Sequence, residues 1–178
     1  MPLSVRPARP SDAATIAAFN AALAEESEGH RLDPAVVVPG VEAALADPAR
    51  ALYWVAEEDG RVVGQTLVTF EWSDWRNGWL WWIGSVFVAP GARKRGAFRA
   101  LHARVVEEAR RAGAVGVRLY VMESNARARE VYRRLGLAES GYRVLEQMFR
   151  DGAGDAASGG TAANHRRDAE TQRSAEES

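Results

Sequence analysis

The sequence contains no cysteine, which excludes disulfides, thiolate metal sites and a cysteine nucleophile. It has no excess of either charge, with 23 basic residues against 24 acidic ones. Bulk attraction to nucleic acid or to an anionic membrane is therefore not expected, and an anion must be met by a local cluster. No apolar run is long enough to span a bilayer, and Met1-Pro2-Leu3-Ser4-Val5-Arg6-Pro7 lacks the apolar stretch of a signal peptide; a cytoplasmic protein is the expectation. His30, His102 and His165 have no ligand spacing between them, so no metal site is expected. From Asp151 to Ser178 there is no aromatic and no large aliphatic residue. Such a stretch cannot bury enough apolar surface to offset the entropy of ordering it. It reads as a disordered C-terminal tail, with Arg166-Arg167 an isolated basic pair.

What is present suits one domain over residues 3–150, since an apolar share of 47% is ordinary for a globular chain. Leu3-Ser4-Val5-Arg6 alternates like a half-buried strand. Pro10-Ser11-Asp12 opens a helix carrying Ile16, Phe19, Asn20 and Leu23 at helical spacing. A second helix is expected from about Pro39 to Ala46, stopping before Pro48. Leu52 to Ala56 and Val62 to Phe70 flank Asp59-Gly60 as a hairpin. Trp79 to Val88 is a long strand, with Trp79, Trp81 and Ile83 on one side and Leu80 and Trp82 on the other. A helix from about Gly96 to Ala112 sets Phe98, Leu101, Val105 and Val106 on an apolar face, and Gly113 closes it. Val115 to Met122 is a strand, Ala126 to Leu135 a helix, and Tyr142 to Met148 a last strand. This order argues for an α+β sandwich: a mixed, mostly antiparallel central sheet flanked by helices.

The most informative stretch runs from Ser85 to Phe98. A buried strand enters a basic loop, Arg93-Lys94-Arg95, which opens a helix at Gly96. Unpaired amides at a helix start bind phosphate, Gly96 admits close backbone approach, and Arg99 adds a further cation. The arrangement suits a diphosphate. It is not a Walker A loop: Gly91 and Gly96 have that spacing, but Ala97-Phe98 stands where Lys-Ser/Thr is required. No Gly-x-Gly-x-x-Gly follows a strand, so a dinucleotide fold is unsupported.

Val86-Phe87-Val88-Ala89-Pro90 followed by Arg93-Lys94-Arg95-Gly96-Ala97-Phe98 resembles the coenzyme-A loop of the GNAT superfamily of acetyltransferases. Arg93 and Gly96 match its pattern, and Phe98 departs from its last position, where a residue turned into the core beside Leu101 and Val105 is expected. Asn125, Ala128, Tyr132 and Gly136 resemble the family's second segment, with Leu137 where an aromatic is common. Glu71 to Gly78 also looks like bacterial GNAT proteins of unassigned substrate. The resemblance implies the GNAT fold and an N-acetyltransferase using acetyl-coenzyme A without a metal. It also implies an acceptor amine on a small molecule or a protein, which attacks directly in a ternary complex.

In residues, the resemblance implies that Val86, Phe87 and Val88 pair with the pantetheine arm and that Arg93, Lys94, Arg95, Gly96, Ala97 and Phe98 surround the pyrophosphate. Asn125 and Ala128 would lie at the pantetheine, and Tyr132 would protonate the departing thiolate. Because an alkylamine has a pKa near 10, only about one molecule in a thousand is neutral at pH 7. A carboxylate or water must take its proton. Glu71 is the leading base, with Glu25, Glu26, Glu28 and Asp74 as acceptor-side alternatives. Trp72 and Trp75 form an aromatic wall for a cationic acceptor or a homodimer contact, while the other tryptophans of this stretch pack the core. A non-catalytic acyl-coenzyme-A sensor or interaction module on the same fold is the alternative, against which Tyr132 argues.

Overall fold

A computed structural model describes residues 3–149; the expected tail, with His165 and the Arg166-Arg167 pair, lies outside them. The elements run β1 (Ser4–Pro7), α1 (Ala13–Glu28), α2 (Pro34–Ala46), β2 (Leu52–Glu58), β3 (Arg61–Ser73), β4 (Gly78–Val88), α3 (Ala97–Arg111), β5 (Gly116–Leu119) and α4 (Ala126–Arg134), with short 3-10 turns at Pro10–Asp12 and Pro90–Ala92. The strands form one sheet in the order β1-β2-β3-β4-β5. The first four are antiparallel, and β5 is parallel to β4. This is the expected mixed, mostly antiparallel sheet.

Each face of the sheet carries its own core. On one, Trp54, Val68, Trp81 and Ile83 pack with Leu101 and Val105 of α3; on the other, Tyr53 and Val55 pack with Ile16 of α1 and Val41 of α2. Asp59 and Gly60 turn the β2–β3 hairpin with φ of 51° and 73°, the left-handed pair a two-residue hairpin turn needs. Arg6 ties β1 to the start of α1: its guanidinium holds both oxygens of buried Asp12, at 2.7 and 3.1 Å, and Glu57 Oε2 at 2.7 Å.

Four expectations are corrected. The second helix begins at Pro34, not Pro39, because Asp33 caps it by accepting the Ala35 amide at 2.8 Å and Pro34 takes the first position; Pro39 sits on its exposed side. The fifth strand ends at Leu119 rather than Met122, since β4 bulges away beyond Ile83 and leaves nothing to pair with. Tyr142 to Met148 is not a strand: it is unpaired chain with Tyr142, Val144, Leu145 and Met148 exposed. Alternation shows that a segment can pair, not that an edge is in reach, and β5 offers only four residues. Of the tryptophans expected in the core, Trp79 is not buried. Trp81 is in the core and Trp82 half-buried, whereas Trp79 stacks edge-on against Trp72 at 5.2 Å and both are exposed.

Candidate active site

β4 carries an irregularity that decides where a ligand can lie. Gln65 pairs with Phe87 and Leu67 with Gly84, so Ser85 and Val86 together oppose the single residue Thr66. The extra residue makes a bulge, and Ser85 adopts φ of 46° there. The bulge also switches parity: Trp81 and Ile83 face α3 before it, and Val86 and Val88 face α3 after it. Phe87 is thereby turned to the opposite face, where its ring meets Phe19 of α1 at 4.9 Å. β4 and β5 last pair at Ile83 and Leu119, so the β4 edge from Gly84 to Val88 has no strand beside it among the described residues. That open edge leads directly into the basic loop.

The loop is braced from within. Arg93 donates Nε to the Val88 carbonyl at 2.9 Å and its terminal nitrogen to Glu26 at 2.6 Å, with its guanidinium 5.6 Å from the Phe87 ring centroid. Arg95 pairs with Glu58 at 2.6 Å. These two arginines clasp the loop to α1 and to β2. Lys94 and Arg99 have no side-chain partner among the described residues, so they are the cations left for an anion. Gly96 caps α3 at φ of 93°, and a Cβ there would meet nothing within 4 Å. The space beside the start of α3 is therefore open at Gly96. An open strand edge, a helix start, two unpaired cations and a bare glycine fit a pyrophosphate-bearing extended ligand such as acetyl-coenzyme A.

Tyr132 faces the start of α3. Its ring stands edge-on to Phe98, centroids 5.6 Å apart, which corrects the expectation that Phe98 turns into the core with Leu101 and Val105. Phe98 is half-buried, lies 6.2 Å from His102 and positions α4. Burial raises the Tyr132 pKa, so the phenol keeps its proton at neutral pH. Asn125 caps α4, its Oδ1 accepting the Ala128 amide at 3.0 Å. The Asn-x-x-Ala spacing is thus a helix cap in this chain.

Glu71 pairs with Leu80, where the β4–β5 pairing begins, three residues before those strands part; its side chain lies opposite the face that packs on α3. Its Oε2 accepts from Trp82 Nε1 at 2.6 Å and its Oε1 from Arg118 at 3.2 Å. Arg118 also lies 5.5 Å over the Trp82 ring, which stacks on Tyr120 at 4.4 Å. Glu71, Arg118, Trp72, Asp74 and Trp75 line one cleft of about 230 Å³. Of the other carboxylates, Glu26 is held by Arg93 and Glu25 and Glu28 are exposed at the end of α1. The structure brings Glu71, Trp72, Asp74 and Trp75 together and leaves the α1 carboxylates apart from them. Among the described residues no three of His, Cys, Asp and Glu cluster as metal ligands, and no helix is long and apolar enough to cross a membrane.

Residues 17–137 match the model of the acetyltransferase (GNAT) family. The chain belongs to that family. A possible acetyltransferase from Clostridium difficile 630 is 39% identical over 84% of this chain and 99% of that one, with a TM-score of 0.78. An integron cassette protein from the mobile metagenome of Cole Harbour Salt Marsh is 24% identical over 83% and 91%, at 0.73. A predicted acetyltransferase of Clostridium acetobutylicum, solved with acetyl-CoA, is 18% identical over 82% and 96%, at 0.67. The last two show the fold alone. No curated protein matches.

This GNAT domain also contains site residues that sequence reasoning missed. Gln65, fully buried, donates Nε2 to Asn20 Oδ1 at 2.6 Å and to the Ser85 carbonyl at 3.5 Å, while Thr66 Oγ1 reaches the Gly84 carbonyl at 3.4 Å. Asn20 in turn donates to the Tyr53 hydroxyl at 3.3 Å. Two consecutive β4 carbonyls are thereby held toward β3, where a regular strand would point them opposite ways. The signal was a polar pair, Gln65-Thr66, interrupting the apolar run Val62 to Val68. Arg118, Trp82 and Arg76 were missed because nothing in their spacing marks them as neighbours.

Proposed function

We propose that this chain transfers the acetyl group of acetyl-coenzyme A to an amine acceptor by direct attack in a ternary complex. The observation that carries the reading is the parting of β4 from β5 at Ile83 and Leu119, immediately before a loop that opens α3 at a bare Gly96. Bound there, acetyl-coenzyme A supplies an activated thioester. The β4 edge at Val86 to Val88 would hold the extended arm. The amides of Arg95, Gly96 and Ala97, with Lys94 and Arg99, would hold the pyrophosphate.

The chain's own groups then supply two proton transfers. Glu71 would take the proton of the acceptor amine as nitrogen attacks the acetyl carbon. Trp82 and Arg118 use one lone pair on each of its oxygens and leave the others free. Tyr132, whose phenol is protonated at neutral pH, would give its proton to the sulfur as the carbon–sulfur bond breaks.

Release of free thiol from acetyl-coenzyme A, followed across a panel of amines, tests the reading. Tyr132→Phe keeps the ring against Phe98 and removes the proton. The maximal rate should fall about 10²-fold, the low end of general-acid effects because a thiolate already leaves well, while coenzyme A still binds. Full turnover in Tyr132→Phe would remove the assigned acid. Coenzyme A binding without turnover of any amine would favour a sensor.

A further inference from the structure

We infer that the acceptor is a free amino acid with an apolar or aromatic side chain, its own carboxylate held by arginine in the cleft beside Glu71. The inference rests on the acetyl-transfer reading above and adds the acceptor's chemistry.

The cleft lies between the β3–β4 turn, Arg118 on β5 and Tyr142. Its volume of about 230 Å³ is below the ~300–1,000 Å³ of sites for drug-sized ligands, so the group it encloses is small. Its charges balance: Glu71 and Asp74 face Arg76 and Arg118. A polyamine or a polycationic sugar needs carboxylates in excess, and two guanidinium groups would repel its second ammonium. A ligand carrying one amine and one carboxylate meets this set without leaving a charge unmatched.

The two arginines also have donors to give. Arg76 has no side-chain partner among the described residues. Arg118 gives a single hydrogen bond, to Glu71, of the five donors of a guanidinium. Its position 5.5 Å over the Trp82 ring restrains where the rest are offered. Arg118 pairs in register with Trp82, one residue before β4 and β5 part, whereas Arg76 stands in the β3–β4 turn at the far end of β4; a carboxylate on the Arg118 side of the cleft directs the α-amine toward Glu71 and the opening. Trp75 and Tyr142, 85% and 77% exposed, flank the same cleft and offer aromatic faces to a side chain.

The test compares free amino acids, among them phenylalanine, tryptophan and methionine, with their carboxamides, with spermidine and with kanamycin, by thiol release from acetyl-coenzyme A. At least one free acid should exceed its carboxamide about tenfold or more in kcat/KM, the loss expected when a guanidinium loses its anion. Arg76→Ala should raise KM for the free acid about tenfold and narrow that ratio toward one, with the melting shift by coenzyme A as the folding control. A preference for the carboxamide, spermidine or kanamycin, or a ratio unmoved by Arg76→Ala, overturns the inference. Should no acceptor turn over, the acetyl-transfer reading fails separately. Calorimetric titration of the same amino acids into coenzyme-A-saturated protein then decides: binding weakened by Arg76→Ala supports the inference, and no binding overturns it.

Discussion

Asp12 shows how a single side chain can carry more than its local turn. It accepts both arms of the Arg6 guanidinium and the Arg9 amide at 2.7 Å, joining β1 to the start of α1 in a buried setting. The Arg6 hydrogen bond, above all, holds the Asp12 carboxyl below its usual range. Asp12→Ala should cost about 3 kcal/mol, the low end for breaking a buried pair because Arg6 keeps Glu57. The sign with pH follows from the lowered pKa. The contribution is complete above the ordinary carboxyl value near 4 and disappears as pH falls through the lower folded value. Denaturant unfolding at pH 7 and at successively lower pH checks this: the two proteins should differ at pH 7, and the gap should narrow as the pH falls below about 4. An equal gap throughout would assign the loss to packing instead. The sequence showed Asp12 as a helix starter and nothing of Arg6, because the pair joins elements through space.

At the scale of the element, β4 runs to Val88 as its sequence predicts, but alternation tells its faces apart only up to Ile83. Alternation sorts Trp79 to Ile83 onto the correct faces, but it cannot register the added residue at Ser85 that sends Val86 and Val88 to the α3 face. Spacing singled out the basic loop before α3, because glycine and basic residues act there through local geometry. It gave Phe98 the wrong neighbour because position on a helical wheel does not say which element comes to meet it. Gln65→Leu tests the bulge. Leucine fills the space but leaves the Ser85 carbonyl and Asn20 without that donor, costing about 1–3 kcal/mol. It also frees the bulge, so kcat should fall about ten- to hundredfold, the scale of a small misplacement of reacting groups, with little change in coenzyme A affinity. Equal losses in affinity and kcat would show general unfolding of β4, and an unchanged kcat would make the network structural only.

At the scale of the molecule, the fold divides into a well-held body and a lightly held rim. β2, β3 and α3 supply most of the buried residues, while no residue of α4 is buried and β5 pairs on one side over four residues. Local patterning, in the Asp59-Gly60 turn and the apolar face of α3, reads the body well because there each local preference agrees with the packing. It overextends the rim, in β5 and at Tyr142 to Met148, because edge pairing is decided by what lies alongside. A nine-residue helix is marginal by itself, so α4 and β5 should open locally more often than the body. A ligand bridging the β4 edge, the start of α3 and α4 should close that difference. Coenzyme A at about a hundred times its dissociation constant contributes roughly 2.7 kcal/mol, enough to slow amide exchange in the segments it orders by about a hundredfold. Hydrogen exchange followed by mass spectrometry should therefore show residues 116–134 fast without coenzyme A and strongly slowed with it, while β2 and β3 change little. Uniform slowing would mean that ligand and whole-domain unfolding are coupled as one step. No slowing at α4 would place Tyr132 outside the ligand's reach, and with it the proton donor assigned to the thiolate.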